Sequence, residues 1–370
     1  MHRFWNHQPV DGKTNKWATF LEDPEPKLPH EFEWVTMTET DDEELSDFFT
    51  RYLRPDTNST IQLHFSPSFV RWSLTFPGQK NTWIVGVRVK KTKKLVATIT
   101  ASPRALCVHG TTYSVAYVDH LCIHPRLRHK RLAPVLIRAI TRRIAESGCL
   151  HAIYTGTTRL PGQWCSFQQL GRALRPDVLV ESGFWKVPDH AKTTMIRAWD
   201  DLPTEVSTDA LFGPVRKEDV PSLVRLWNDQ TRAFSVAVRV DEDWLHHALF
   251  DSNSPVCAHV KRDENGNVTD MWSYQSLTMF VRKDDIAFPI RQARSYYCFS
   301  TTMRTADLTR DAMIHAKSQG HHIWMTFGVA EVGACQTELN LFPNGMITYF
   351  YGFNFQETVS IPPEQFLYWS

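Results

Sequence analysis

Long apolar runs are missing from this 370-residue chain, and no stretch approaches the roughly 20 residues that a membrane-spanning helix requires. The N-terminus, Met1-His2-Arg3-Phe4-Trp5-Asn6, also lacks the apolar core of a secretion signal, so a cytoplasmic protein is expected. A basic excess is absent: Lys plus Arg total 41 against 40 Asp plus Glu, a net charge of +1. No nucleic-acid partner is therefore expected, and any basic site must be local. Patterned cysteine is lacking: the seven residues are scattered, odd in number and never spaced C-x-x-C, and they read as reduced core thiols. His120, His124, His129 and His151 lack the spacing of metal ligands, so no metal is expected. A phosphate loop of the form G-x-x-x-x-G-K-S/T is also missing, which excludes that kind of nucleoside-triphosphate site. What remains is an ordinary globular composition, 42% hydrophobic and 22% charged, in a chain long enough for two or three domains.

The chain carries one plan twice. Residues 31–53 read as a short strand, an acidic helix start and an amphipathic helix. Residues 210–227 repeat this, with Asp219 and Pro221 as helix-start signals. A hairpin follows in each half: TWIVGVRV and KLVATITASP around KKTK, then SPVCAHV and VTDMWSYQSL around KRDENGN, where Asn265-Gly266 is a strong turn signal. Each half then has a helix closed by glycine and an apolar strand: RLAPVLIRAITRRIAESG before CLHAIYTG, and LTRDAMIHAKSQG before HHIWMTFG. The distance from Leu95 to Gly148 matches that from Val268 to Gly320 to within one residue. This pattern predicts two copies of one α/β unit joined by the polar stretch near 198–212.

Only the first copy has a basic connection. A β-rich run, Val115 to Ile123, leads into His124-Pro125-Arg126-Leu127-Arg128-His129-Lys130-Arg131, and a helix is predicted from about Leu132. Apolar positions 132, 135, 136, 139, 140 and 144 form the stripe of a buried face, and Pro134 suits a first helical turn. A helix start offers unpaired N–H groups and a positive dipole end, and neighbouring cations suit a diphosphate. Read alone, such a charge run also fits a solvated loop.

Arg128-x-x-Arg131-x-Ala133 is similar to the R/Q-x-x-G-x-G/A turn of GCN5-related acyltransferases, which binds the coenzyme A pyrophosphate, with Arg where Gly is usual. More specifically, HLCIHPRLRHKRLAPVLIRAITRR resembles the signature segment of the N-myristoyltransferase family. So do Phe4-Trp5-Asn6-His7-Gln8-Pro9, FSPSFVRWSLTFPG at 65–78, IYTG at 153–156 and ITYFYGFN at 347–354. The resemblance implies an α/β fold of two fused GCN5-related acyltransferase-like units, with a donor half at 1–200 and an acceptor half at 201–370. It implies myristoyl-CoA or another long-chain acyl-CoA as co-substrate, a peptide or small amine as acceptor, and a monomer.

Carried over by residue, the resemblance implies acyl-CoA contacts at Arg3, Phe4 and Trp5, which otherwise read as core aromatics beside a cation. It also implies backbone contacts from His120, Leu121, Cys122 and Ile123, and a phosphate clamp at His129, Arg131, Leu132 and Ala133. The thioester oxygen gains negative charge during acyl transfer and needs aimed donors; the family places these on the backbone N–H groups that fall here at His120 and Leu121. Its base is a terminal carboxylate, here that of Ser370 after an apolar tail, which also fits simple packing. Cys122, a strand cysteine, reads as inert. On the acceptor side, Tyr52, Tyr154, Thr155 and Tyr297 remain. The family's acidic run after Tyr52 is replaced by Leu53-Arg54-Pro55-Asp56-Thr57-Asn58, and a Tyr and a His become Gln169 and Gly171. Direct acylation of an N-terminal glycine is the expected activity. Acylation of a lysine side chain or small amine, or weakly catalytic acyl-CoA binding by a regulator, are the alternatives.

Overall fold

A computed structural model of the chain describes residues 25–53, 60–206, 212–283, 286–355 and 360–367. Strand β1 (Phe32–Thr36) leads into helix α1 (Asp42–Tyr52), whose first turn holds Asp42, Glu43 and Glu44 at its positive end. After β2 (Ile61–His64), helix α2 (Pro67–Leu74) starts with Pro in its first turn, and Ser66 Oγ accepts from the Phe69 N–H at 3.1 Å. Then come β3 (Ile84–Val89), β4 (Leu95–Val108), β5 (Thr111–Ile123), α3 (Leu132–Glu146), β6 (His151–Gly156) and β7 (Gln163–Ala173). Two short helices, Pro176–Glu181 and Lys192–Trp199, bridge to the second series. That series is β8 (Phe212–Pro214), α4 (Val220–Gln230), β9 (Val236–Arg239), α5 (Glu242–Phe250), β10 (Val256–Arg262), β11 (Val268–Lys283), β12 (Ile286–Ser300), α6 (Thr305–Ser318), β13 (Ile323–Phe327) and β14 (Phe342–Phe353), followed by β15 (Phe366–Leu367).

Apart from a short helix, Ala330–Ala334, between β13 and β14, the order of the first ten elements recurs in the second ten, and the predicted repeat is present with two additions per copy. Strands β2 and β9 and helices α2 and α5 also correspond; the strands, at four residues each, are too short for alternation to reveal. The sheet runs β1-β3-β4-β5-β6-β14-β7-β13-β12-β11-β10-β8, which reads the same from either end once the copies are exchanged. The last strand of each series crosses over: β14 pairs with β6, β7 pairs with β13, and the two pair with each other. Likewise β2 joins β11 and β9 joins β4. Each copy therefore completes its sheet with strands from the other.

The helices cover the sheet by their apolar stripes. Leu136, Ala139, Ile140 and Ile144 of α3 are buried with Val96, Ala97 and Ala116 of β4 and β5, as the sequence period predicts, while Leu132 and Val135 are half-buried. Two left-handed glycines, Gly148 and Gly320, end the α3 and α6 segments at equivalent places. Among the described residues, no helix is long and apolar enough to cross a membrane.

His321, which follows α6, is buried. Its Nδ1 lies 3.0 Å from the Ala316 carbonyl and its Nε2 lies 2.9 Å from Ser276 Oγ. The neutral ring can donate from Nδ1 and accept at Nε2, and burial holds its pKa down at about 4. The unfolded ring titrates near ~6.5, so between these values the unfolded chain takes up the proton first and folding weakens as pH falls. Urea midpoints should therefore be flat above pH 7 and drop between about pH 6.5 and 4. His321→Asn should have a shallower drop; an unchanged slope would remove His321 from the account.

Candidate active site

Strand β5 is the backbone of the site. Its pairing with β4 runs in register from Val108↔Thr111 to Thr100↔Asp119, then resumes at Thr98↔Cys122. His120 and Leu121 thus oppose the single residue Ile99, a β-bulge that breaks the ladder at the two expected donors. His120 adopts φ +50, in the left-handed region. Three contacts hold this shape. Thr98 Oγ1 donates to the His120 carbonyl at 3.1 Å, Thr100 Oγ1 lies 2.9 Å from His120 Nδ1, and the His120 ring stacks on Phe49 of α1 at 4.6 Å. His120 is buried, whereas Leu121 is 39% exposed.

The neighbouring strand opens a gap there. Strands β5 and β6 pair in parallel from Val115↔His151 to Val118↔Tyr154, and β6 continues against β14 while β5 runs on to Ile123. The backbone of residues 119–123 therefore lies beyond its pairing with β6, which is where the expected contacts from His120 to Ile123 fall. Tyr154 and Thr155 stand on β6 at the same level. Thr155 Oγ1 lies 3.4 Å from the Tyr117 hydroxyl, and the Tyr154 ring stacks on Tyr351 at 4.8 Å. The Tyr154 hydroxyl is buried with no hydrogen-bond partner among the described residues, and burial pushes its pKa up.

Sequence reasoning gave Asp119 no role. Its Oδ1 accepts from the His120 N–H at 2.7 Å, so a carboxylate occupies one of the two expected donors. The signature segment that the sequence resembles reads Asn-Phe-Leu-Cys where this chain has Asp119-His120-Leu121-Cys122, and Asn offers the same acceptor without the charge. An anion beside a developing oxyanion opposes it by a few kcal/mol at ~5 Å for an effective dielectric of about 20. Asp119→Asn should therefore raise turnover at saturating acyl-CoA, by at least about tenfold and up to about 10²-fold. A fall in turnover would mean that the reaction uses the carboxylate.

The basic run folds as predicted, with one correction. A one-turn 3-10 helix, Pro125–Leu127, leads into α3, but Arg128 points inward. Its Nε donates to the Ile123 carbonyl at 3.1 Å and its guanidinium to the Tyr52 carbonyl at 2.7 Å, tying the turn to the end of α1. His129, Lys130 and Arg131 remain exposed. His129 and Arg131 have φ +63 and +60, the region that favours glycine, so the Gly of the similar acyltransferase turn is matched in conformation although the residue is Arg. Leu132 and Ala133 open α3, whose first turn carries no acidic residue. Lys130 and Arg131 make no ion pair among the described residues.

The other predicted residues are placed differently. Tyr52 sits beside the basic turn, its ring 4.8 Å from that of His124. Tyr297 is buried, 4.2 Å from Trp227 between ring centroids, at the equivalent β11–β12 bulge, where Tyr296 and Tyr297 oppose Ser273. Gln169 accepts from the Asn344 side-chain amide at 2.8 Å. Cys122 is buried and burial pushes its thiol up to about 12, so it stays protonated. Arg3, Phe4, Trp5 and Ser370 lie outside the described residues; Phe366 and Leu367, just before Ser370, are buried and pair with β9.

Known proteins match this arrangement along nearly its whole length. Residues 12–166 match the N-terminal domain, and residues 181–365 the C-terminal domain, of Myristoyl-CoA:protein N-myristoyltransferase. The chain is 30% identical to glycylpeptide N-tetradecanoyltransferase 1 of Arabidopsis thaliana, over 98% of this chain and 88% of that protein. It is 32% identical to the enzyme of that name from Dictyostelium discoideum, over 89% of this chain and 83% of that protein. A crystal structure of Saccharomyces cerevisiae N-myristoyltransferase with bound myristoyl-CoA superposes with a TM-score of 0.89 at 25% identity, covering 98% of this chain and 90% of that one. The repeated fold, the bulge before the basic turn and the matches to both domains place this chain in the N-myristoyltransferase family.

Proposed function

We propose that the protein transfers a myristoyl group from myristoyl-CoA to the amine of an N-terminal glycine. The observation that carries this reading is the sequence of features on one connection: a β-bulge at the two expected donors, then exposed cations, then a helix start without a side-chain cap among the described residues. The diphosphate of the donor takes the helix start and the Lys130 and Arg131 side chains. The thioester carbonyl then lies over the bulge, where the Leu121 N–H receives the developing oxyanion and the His120 N–H joins it once it leaves Asp119 Oδ1. The neutral amine attacks the thioester carbon, the C–S bond breaks, and CoA leaves as a thiolate that takes up a proton. The amine's proton passes to a base, for which Ser370 is the candidate. Cys122 forms no acyl-enzyme in this scheme, in keeping with its protonated, buried thiol.

We assign donor binding to residues 1–200 and acceptor binding to residues 201–370, with Tyr154 and Thr155 at the junction beside the thioester. Seven free cysteines suit a reducing compartment, and we place a monomer in the cytoplasm. Incubation with myristoyl-CoA and peptides bearing a free Gly, a blocked Gly with a free Lys, or neither, read by product mass, tests the activity. Product on the Lys peptide alone would favour side-chain acylation, and binding without product would favour a regulator.

The acceptor should also tolerate neutral sequences. The segment after Tyr52 carries one carboxylate where the family has an acidic run, so charge complementarity for a basic peptide is weak. Rates on neutral and basic peptides sharing an N-terminal Gly should agree within about threefold, well under 1 kcal/mol. A preference of tenfold or more for basic peptides would mean that another acidic surface serves.

A further inference from the structure

Far along the sheet from the bulge, three ligand-bearing side chains converge. Cys257 and His259 lie two apart on β10 and so project from the same face. Helix α6 packs against the neighbouring strands β11 and β12 and carries His315. A ligand atom from each of Cys257, His259 and His315 lies within 4.8 Å of the other two, and Cys257 Sγ is 4.0 Å from His259 Nδ1. From these residues we infer a binding site for a thiophilic divalent metal ion, with Zn(II) the best fit.

The chemistry of the set selects the ion. One thiol and two imidazoles, with no carboxylate, suit Zn(II) and exclude a site built for magnesium or calcium. In a tetrahedral zinc site, ligand atoms stand roughly 3.3–3.6 Å apart, given bonds of about 2.3 Å to sulfur and 2.0–2.1 Å to nitrogen. The three atoms need to draw together by only about 1 Å, within reach of small side-chain rotations.

Their protonation states are also favourable. Burial and the neighbouring His315 hold His259 down at about 4, and burial lowers His315, so both rings keep a free lone pair at neutral pH. Burial raises the Cys257 thiol, whose proton must leave to solvent as the metal–sulfur bond forms.

The surroundings fix the ligands in place. The Trp272 ring stacks on His259 at 4.4 Å and 11°, and the Tyr274 hydroxyl lies 3.1 Å from His315 Nδ1. All three ligand residues are half-buried, which leaves a path from solvent and room for a water as the fourth ligand. The sequence hides the site because Cys257-Ala258-His259 is only half a motif, and the helix supplies the remaining ligand more than fifty positions later.

The test uses the full chain, stripped with a chelator and titrated with Co(II). One equivalent should produce a thiolate-to-cobalt charge-transfer band with tetrahedral visible absorption, which added Zn(II) abolishes. Cys257→Ser should lose the charge-transfer band, and His315→Gln should weaken Co(II) binding by at least about tenfold. A readout independent of variant folding is alkylation of the unmutated protein: Zn(II) should protect Cys257 from iodoacetamide and leave the half-buried Cys335 unprotected, as mapped by peptide mass. Co(II) binding without the thiolate band, or equal alkylation of Cys257 with and without Zn(II), would overturn the site and leave a hydrogen-bonded cluster only.

Discussion

Replacing the Leu121 backbone amide with an ester, by incorporating the corresponding hydroxy acid, should lower turnover by about 10²–10³-fold, the usual cost of one oxyanion donor. Acyl-CoA affinity should change little, because the ground-state thioester oxygen carries little charge and the diphosphate is held elsewhere. The bulge makes this test clean. Leu121 has no Cα partner on β4, and its side chain is partly exposed, so the ester removes a donor without disturbing core packing. Single-turnover rates and acyl-CoA affinity measured on the same protein separate the two effects. Turnover unchanged by the ester would mean that the thioester oxygen lies elsewhere than over the bulge.

Neutralising Lys130 and Arg131 together should weaken acyl-CoA binding by about 10²–10⁴-fold, at roughly 1.5–3 kcal/mol for each charged hydrogen bond to phosphate. The loss should shrink as salt rises, since these side chains are exposed. Arg131→Gly separates charge from shape. The position sits at φ +60, so glycine relieves about 1 kcal/mol of strain that Arg131→Ala retains. Both variants should lose affinity alike, with the Gly variant more stable to urea. Calorimetry showing full affinity in the folded double variant would dissociate the basic turn from the donor.

How far these features could be read before folding varied with their range. The α3 stripe and Pro134 are local signals, and the helix they predict is the one observed. The bulge is not legible, because Val115 to Ile123 reads as one uninterrupted β segment and the irregularity exists only against β4. Arg128 and Arg131 look equivalent as cations, yet backbone conformation turns one onto Tyr52 and leaves the other in solvent. Asp119 differs from the family by one atom type, and its engagement of the His120 N–H is a geometric fact that composition does not carry. The repeat was visible in element order and spacing, but the exchange of β7 and β14 was not. Pairing partners about 150–200 residues apart leave no periodic trace.

That exchange bears on how the chain is made. Strand β6 leaves the ribosome long before β14, the strand that covers its open edge. At about 5–20 residues per second, the wait is on the order of ten seconds or more. During that time the nascent first half exposes an unpaired edge flanked by the apolar residues Ala152 and Ile153, which are buried in the finished sheet. Synthesis therefore contains an obligatory interval in which half the protein is a template for mispairing. A chain truncated before β14 has no means of ending it.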